Sequence, residues 1–180
     1  GFWAIKILAT TLGETGGDAV SMSLDLGYLV STGIFMALFV IAVAGQIRAK
    51  QFHPWLYWAT IIASTTVGTT LADFADRSLG IGYFGGSTLL ACLVAATLVA
   101  WHRSLGSIDV GSVHTPKAEA FYWLTIMFSQ TLGTALGDWT ADSAGLGYTG
   151  AALIFAALLL LIVLAYYFTR VSRTALFWLA

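Results

Sequence analysis

The sequence predicts an all-α fold: a polytopic membrane bundle built from tandem, parallel helical-hairpin repeats. Three observations predict it. First, 9 % of the 180 residues are charged and 58 % are hydrophobic, whereas a soluble domain carries about 25 % charged residues. So few polar groups cannot cover a globular surface, so the solvent must be lipid. Second, apolar runs at roughly 29–47, 84–101 and 149–168 approach the ~20 residues a helix needs to cross a bilayer. A β-barrel would show short alternating segments instead. Third, one motif recurs along the chain in a fixed frame.

The frame is a Trp, a Gly ten residues later, an Asp at fifteen and Gly-Tyr at twenty-four and twenty-five. It holds for Trp3, Gly13, Asp18 and Gly27-Tyr28, then for Trp58, Gly68, Asp73 and Gly82-Tyr83, then for Trp123, Gly133, Asp138 and Gly147-Tyr148. Residues 57–83 and 122–148 align without a gap at 14 identities in 27. Phe177-Trp178 lies 55 residues after Trp123, the interval that separates Trp3 from Trp58. It reads as the start of a fourth repeat. Internal repetition of this kind dictates the architecture before any single residue does.

Each repeat reads as two helices. The first runs from the Trp through the Asp. A short turn at Gly-Tyr reverses the chain, and the apolar run returns. The expected divisions are 1–50 for repeat one, 51–103 for repeat two, 104–119 for a cytoplasmic loop, 120–173 for repeat three and 174–180 for the start of repeat four. Six spans are visible and eight are expected in the full-length protein. Residues beyond both ends are expected, since the chain starts at Gly1 rather than Met.

This frame, carried three times over the whole chain, resembles a family of bacterial membrane-anchored proteins made of four tandem two-span repeats, a repeat of unknown function. The resemblance implies eight spans and an inner-membrane location. It implies no activity.

Arg48, Lys50, Arg103, Lys117, Arg170 and Arg173 lie between repeats, whereas Arg77 alone is basic among the repeat turns. Positive loops stay in the cytoplasm, so the Trp ends should face inward and the Gly-Tyr turns outward. An even number of spans per repeat gives parallel repeats about an axis along the membrane normal. The long connection at 102–120 favours a two-plus-two arrangement. The tryptophans Trp3, Trp55, Trp58, Trp101, Trp123 and Trp178 read as interfacial anchors. Trp139, beside Asp138, reads as a residue of the pathway. Cys92 lies in an apolar run and reads as a core thiol.

Seven of the nine acidic residues fall in the repeat motif. Fifteen residues at ~1.5 Å each put Asp18, Asp73 and Asp138 about 22 Å from the Trp, inside a hydrocarbon core about 30 Å thick. A partner stands three or four residues away: Glu14 for Asp18, Asp76 for Asp73, Asp142 for Asp138. That spacing places each pair on one helix face. Asp25 reads as a turn residue, and Arg77 as a local neutraliser of Asp76. Charge at this depth costs a few kcal/mol and marks a site. The small residues around Gly13, Gly68 and Gly133 let helices approach closely, so the first helices should form an inner ring on which the acids converge. If the first helix instead stops near the Gly, the acids are exposed loop residues.

Carboxylates with the hydroxyls of Thr69 and Thr134 make an oxygen-rich centre suited to Mn²⁺, Mg²⁺ or Ca²⁺, with Asp18, Asp73 and Asp138 as the expected metal ligands. The histidines His53, His102 and His114 fall at the other end, which argues against a zinc site. Crowded acids also share protons. The expected function is transport of a small cation, Mn²⁺ first, in a proton-coupled export. No covalent cofactor, catalytic residue or nucleic-acid partner is expected, since the net charge of −1 comes with no basic patch. The expected partners are the lipid bilayer, the cation and protons, and a second copy of the chain could complete the ring. A structural or sensory membrane protein, with the acids as helix glue, is the alternative. A third reading is an intramembrane aspartyl hydrolase, since two acids sharing a proton can do that chemistry and "ALGD" at 135–138 resembles part of such a motif.

Overall fold

The computed structural model describes residues 1–49 and 52–180. Lys50 and the expected boundary at 50/51 lie outside the described residues. The described residues form seven α-helices and no strand: α1 (Phe2–Asp18), α2 (Tyr28–Arg48), α3 (Pro54–Asp73), α4 (Gly82–Leu105), α5 (Pro116–Asp138), α6 (Gly147–Phe168) and α7 (Arg173–Leu179). Pro54 and Pro116 start α3 and α5 at the position where a missing N–H costs nothing. The Ala118 N–H donates to the Thr115 hydroxyl at 3.2 Å and caps α5.

In every repeat the α-helix reaches the motif Asp and then widens into a five-residue π-helical turn: Ala19–Ser23, Phe74–Ser78 and Trp139–Ser143. The chain then reverses. Gly27, Gly82 and Gly147 all adopt left-handed backbone, with φ of 74°, 74° and 64°. The repeated Gly before Tyr is therefore a backbone requirement. Asp25 also takes a positive φ, 55°, as befits a turn residue.

The inner layer is α1, α3 and α5. Helix α3 lies in the middle and packs along both of the others. Each repeat is two helices joined by a short reversing turn, as expected, but the two helices of one repeat do not pack along each other. Within a repeat the second helix touches chiefly the π-turn, and the two helices diverge from there. Instead α2 lies along α3, and α4 lies along α5. Helices α2 and α4 thus belong, by packing, to the next repeat. The reason is in the small residues of the first helices. A Cβ on Gly13 would stand 2.8 Å from Thr65 Cβ and 2.9 Å from the Ile62 carbonyl oxygen, and one on Gly68 would stand 3.0 Å from the Thr131 backbone nitrogen. The first helices therefore pack on one another, and α2 and α4 lie along the outer sides of α3 and α5.

At the end away from the π-turns the aromatic pairs of the motif form a closed belt. Phe2 meets Trp58 at 5.6 Å between ring centroids, Tyr57 meets Trp123 at 5.5 Å, and Tyr122 meets Trp178 at 6.3 Å. Phe177 then returns to Trp3 at 6.3 Å. Each repeat thus contributes one ring to the next, and α7 closes the circuit. Rings at these separations favour edge and tilted contacts, as seen in the belt. The two-plus-two arrangement is not what forms, since repeats two and three meet as repeats one and two do. The interval between Trp58 and Trp123 is 65 residues rather than 55, and the added segment clasps α7. The Trp178 indole N–H donates to the Ile108 carbonyl at 3.0 Å, and the Thr174 hydroxyl to Asp109 at 3.1 Å.

The belt also corrects the anchor reading of two tryptophans. Trp101 and Trp123 are buried, at 1 % and 3 % exposure, while Trp55 stands out at 88 %. Cys92 is exposed on α4 rather than a core thiol.

The outer helices carry the lipid argument. Helix α6 buries Ala151 alone among its 22 residues, and the exposed row includes Leu153, Leu160, Leu161 and Val163. Monomeric soluble proteins do not expose apolar surface on this scale. Helices α2, α4 and α6 are each long and apolar enough to cross a membrane. Helices α1, α3 and α5 have comparable lengths but carry hydroxyls and acids.

The Gly contacts give a differential test. In the 180-residue chain, Gly68→Ala is expected to cost about 1–3 kcal/mol through overpacking, read as a lower thermal midpoint in detergent. Gly133→Ala, with nothing within 4 Å of its Cβ position, is expected not to lower it. Equal losses at both would remove the close-packing argument.

Candidate functional site

The repeat intervals of 55 and 65 residues place the inner faces of α1, α3 and α5 in register, one turn at a time. Glu14 corresponds to Thr69 and Thr134. Four residues on, Asp18 corresponds to Asp73 and Asp138. Four more, and Met22 corresponds to Arg77 and Asp142. At the π-turn end of the bundle these layers surround a cavity of about 200 Å³. Its wall comprises all of the first two layers, Met22 and Arg77 from the third, and Tyr148 from the start of α6. Four carboxylates therefore face one guanidinium.

Arg77 is the most constrained of these. Its Nε donates to Asp73 Oδ1 at 2.8 Å, one turn back on its own helix. Its terminal nitrogen stands 3.9 Å from Asp138 Oδ2 on α5. The side chain of Asp73 is 5 % exposed and that of Asp138 16 %, against 38 % for Arg77. The guanidinium thus approaches two largely sheltered acids from the outer side. The expectation that Arg77 neutralises Asp76 is corrected. Adjacent residues do not face each other on a helix, and residues four apart do.

Asp76 and Asp142 stand away from the cavity. The pairing of Asp76 with Asp73, and of Asp142 with Asp138, assumed α-helical spacing. The wider turn starts directly after Asp73 and Asp138, and it leaves Arg77 within reach of Asp73 while Asp76 and Asp142 find other neighbours. Asp76 is buried against α4, where it overlies Gly86, and its Oδ1 has no hydrogen-bond partner among the described residues. Asp142 accepts from the Tyr83 hydroxyl at 3.2 Å, on the exposed side. Neither lines the cavity. Trp139 packs on Phe84 at 6.1 Å, outside it. Among the supporting residues, Thr69 and Thr134 line the cavity, with their hydroxyls 3.5 Å apart. Gly13 and Gly68 form helix contacts, and the space beside Gly133 is open.

Below the cavity, polar contacts continue between α3 and α5. Ser64 donates to Gln130 Oε1 at 2.9 Å, and the Thr65 hydroxyl donates to the same atom. The Tyr57 and Tyr122 hydroxyls meet at 2.9 Å within the aromatic belt. Tyr–Tyr, Ser/Thr–Gln, Thr–Thr and Arg–Asp contacts thus mark the α3–α5 seam from one end to the other. Among the described residues no three His, Cys, Asp or Glu side chains gather closely enough to hold a metal ion. Asp18, Asp73 and Asp138 share a cavity without forming a chelating cluster. The volume has room for several waters, which suits a cation that keeps part of its hydration shell.

The sequence matches the family described as Repeat of Unknown Function (DUF347) three times, over residues 1–52, 56–107 and 121–172. The chain belongs to that family. No curated protein and no solved structure matches it. The cavity is thus built where three DUF347 repeats present equivalent positions to a common centre.

Two further residues were missed by sequence reasoning. Tyr148 carried the signal of the repeated Gly-Tyr but was read only as a turn. Lys6 corresponds to Ile61 and Ile126, both buried, so it occupies an inner position of α1. A lysine one turn into an otherwise apolar helix was its signal.

The Asp76–Gly86 contact has counterparts in Ala141 and Ala151, both buried. Repeat three therefore solves the same packing with two alanines. Gly86→Ala alone is expected to destabilise the chain by about 1–3 kcal/mol, because its Cβ would overlap Asp76. Adding Asp76→Ala should recover most of that loss, a coupling that a double-mutant cycle in thermal melts measures. Additive losses would show that the two side chains do not share one space.

Proposed function

We propose that this chain is an integral membrane transporter of a small cation, with the cavity of Glu14, Asp18, Asp73 and Asp138 as its binding centre. The observation that carries this reading is the arrangement of one cavity. Three helices each bring a carboxylate to the same layer, and a fourth carboxylate and two hydroxyls lie one turn below. Ionisable groups that face the interior of a membrane bundle mark ion pathways and proton relays. The polar seam between α3 and α5 joins the cavity to the belt and supports a path along the same helices.

In this reading all six long helices cross the bilayer of a bacterial inner membrane, with the loops between repeats in the cytoplasm. The basic residues Arg48, Arg103, Lys117, Arg170 and Arg173 support that orientation. The cargo is a divalent metal, Mn²⁺ being the first to test, bound with water rather than by a closed ligand shell. The carboxylates exchange protons for it, which couples export to the proton gradient. No catalytic step is assigned. A structural role draws on one observation, the Arg77 bridge between α3 and α5, which ties helices without any cargo.

Flux separates the two. Full-length protein in proteoliposomes is expected to move Mn²⁺, read with a trapped metal-sensitive dye. Asp18→Asn, Asp73→Asn and Asp138→Asn should each lower the rate by about tenfold or more, the order expected when a buried charge contact is lost. Mn²⁺ flux equal to that of empty liposomes, with and without a pH gradient, would leave the structural reading.

A further inference from the structure

We propose that Arg77 is a tethered counter-cation: its guanidinium holds the Asp73 and Asp138 carboxylates until an incoming cation displaces it, and so sets which cations the cavity accepts. This rests on the reading of the cavity as a cation site.

The geometry supplies the parts. The guanidinium is in contact with Asp73 at 2.8 Å and stands 3.9 Å from Asp138. These two acids come from different helices, so one side chain holds both sides of the cavity. Arg77 is more exposed than either acid, so its guanidinium reaches them from the open side. A permanently charged group suits this role, because an arginine does not lose its proton in proteins. Any cation that binds must therefore compete with it for the same oxygens.

The repeats show that the role is specific to this position. The Asp layer is the same residue three times, as architecture requires. The layer above it is Met22, Arg77 and Asp142, a thioether, a cation and an acid. Equivalent backbone positions with such different chemistry do not serve packing alone. With Arg77 seated, the cavity sets four carboxylates against one guanidinium. With it displaced, all four are available to cargo, which favours higher charge over monovalent ions of similar size.

The test is direct binding of Mn²⁺ to the full chain in detergent, read by loss of the free-ion electron paramagnetic resonance signal. Arg77→Gln is expected to bind Mn²⁺ about tenfold more tightly, in the usual range of coupling between two competing ligands. The same variant, melted in chelator, should lose thermal stability that Mn²⁺ restores, because the acids are then left without a counter-charge. Arg77→Lys, which keeps the charge, should stay close to the native affinity. Native Mn²⁺ binding with an equal or weaker affinity in Arg77→Gln overturns the displacement while leaving the cation site in place. No Mn²⁺ binding by either protein overturns both this inference and the transport reading.

Discussion

Close approach of α1, α3 and α5 is the constraint on which the rest of the molecule depends. The acids of the cavity are sheltered by neighbouring helices. Gly13 lets α1 settle on Thr65, and Gly68 lets α3 settle on Thr131. Side chains at those two points would push the helices apart. The Asp layer would then open, the hydroxyls of Thr69 and Thr134 would separate, and Arg77 would lose its reach to α5. Helices α2 and α4 depend on the same core, since they lie along α3 and α5.

A large part of this was legible in the sequence because the chain states it three times. The Trp, Gly, Asp and Gly-Tyr frame located the helices, their turns and the carboxylates that share the cavity. The α-helix reaches the motif Asp in every repeat, as the frame implied. What could not be read was local helix geometry. Nothing in "DFADRS" or "DWTADS" announces a π-turn, or that Asp76 meets Gly86 and Asp142 meets Tyr83. The buried tryptophans were hidden for another reason. Trp55 and Trp101 both sit near helix ends and look alike in sequence, yet only tertiary packing makes one an outlier in solvent and the other part of the core. The partner of Arg77, by contrast, was available from spacing alone, since Asp73 lies four residues before it and Asp76 only one.

The three repeats are alike where they build and different around the cavity. Asp18, Asp73 and Asp138 are one residue type, and the aromatic belt keeps an aromatic-Trp pair at each station. Glu14 stands against two threonines, and Lys6 against two isoleucines. The cavity inherits a common frame from repetition and an uneven charge distribution from divergence. A cavity with exact symmetry would have identical walls. This one presents a thioether on one side and a guanidinium on another.

The offset between repeat and packing unit bears on how the chain reaches its fold during synthesis. The sequence is punctuated after each second helix, but α2 finds its main surface only on α3, and α4 only on α5. A repeat that has just left the ribosome therefore holds an unpaired outer helix until the next one arrives. Insertion can proceed two helices at a time, while assembly lags by one. The bundle grows like overlapping roof tiles, each held down by its successor, and a break in translation between repeats would leave the last tile loose.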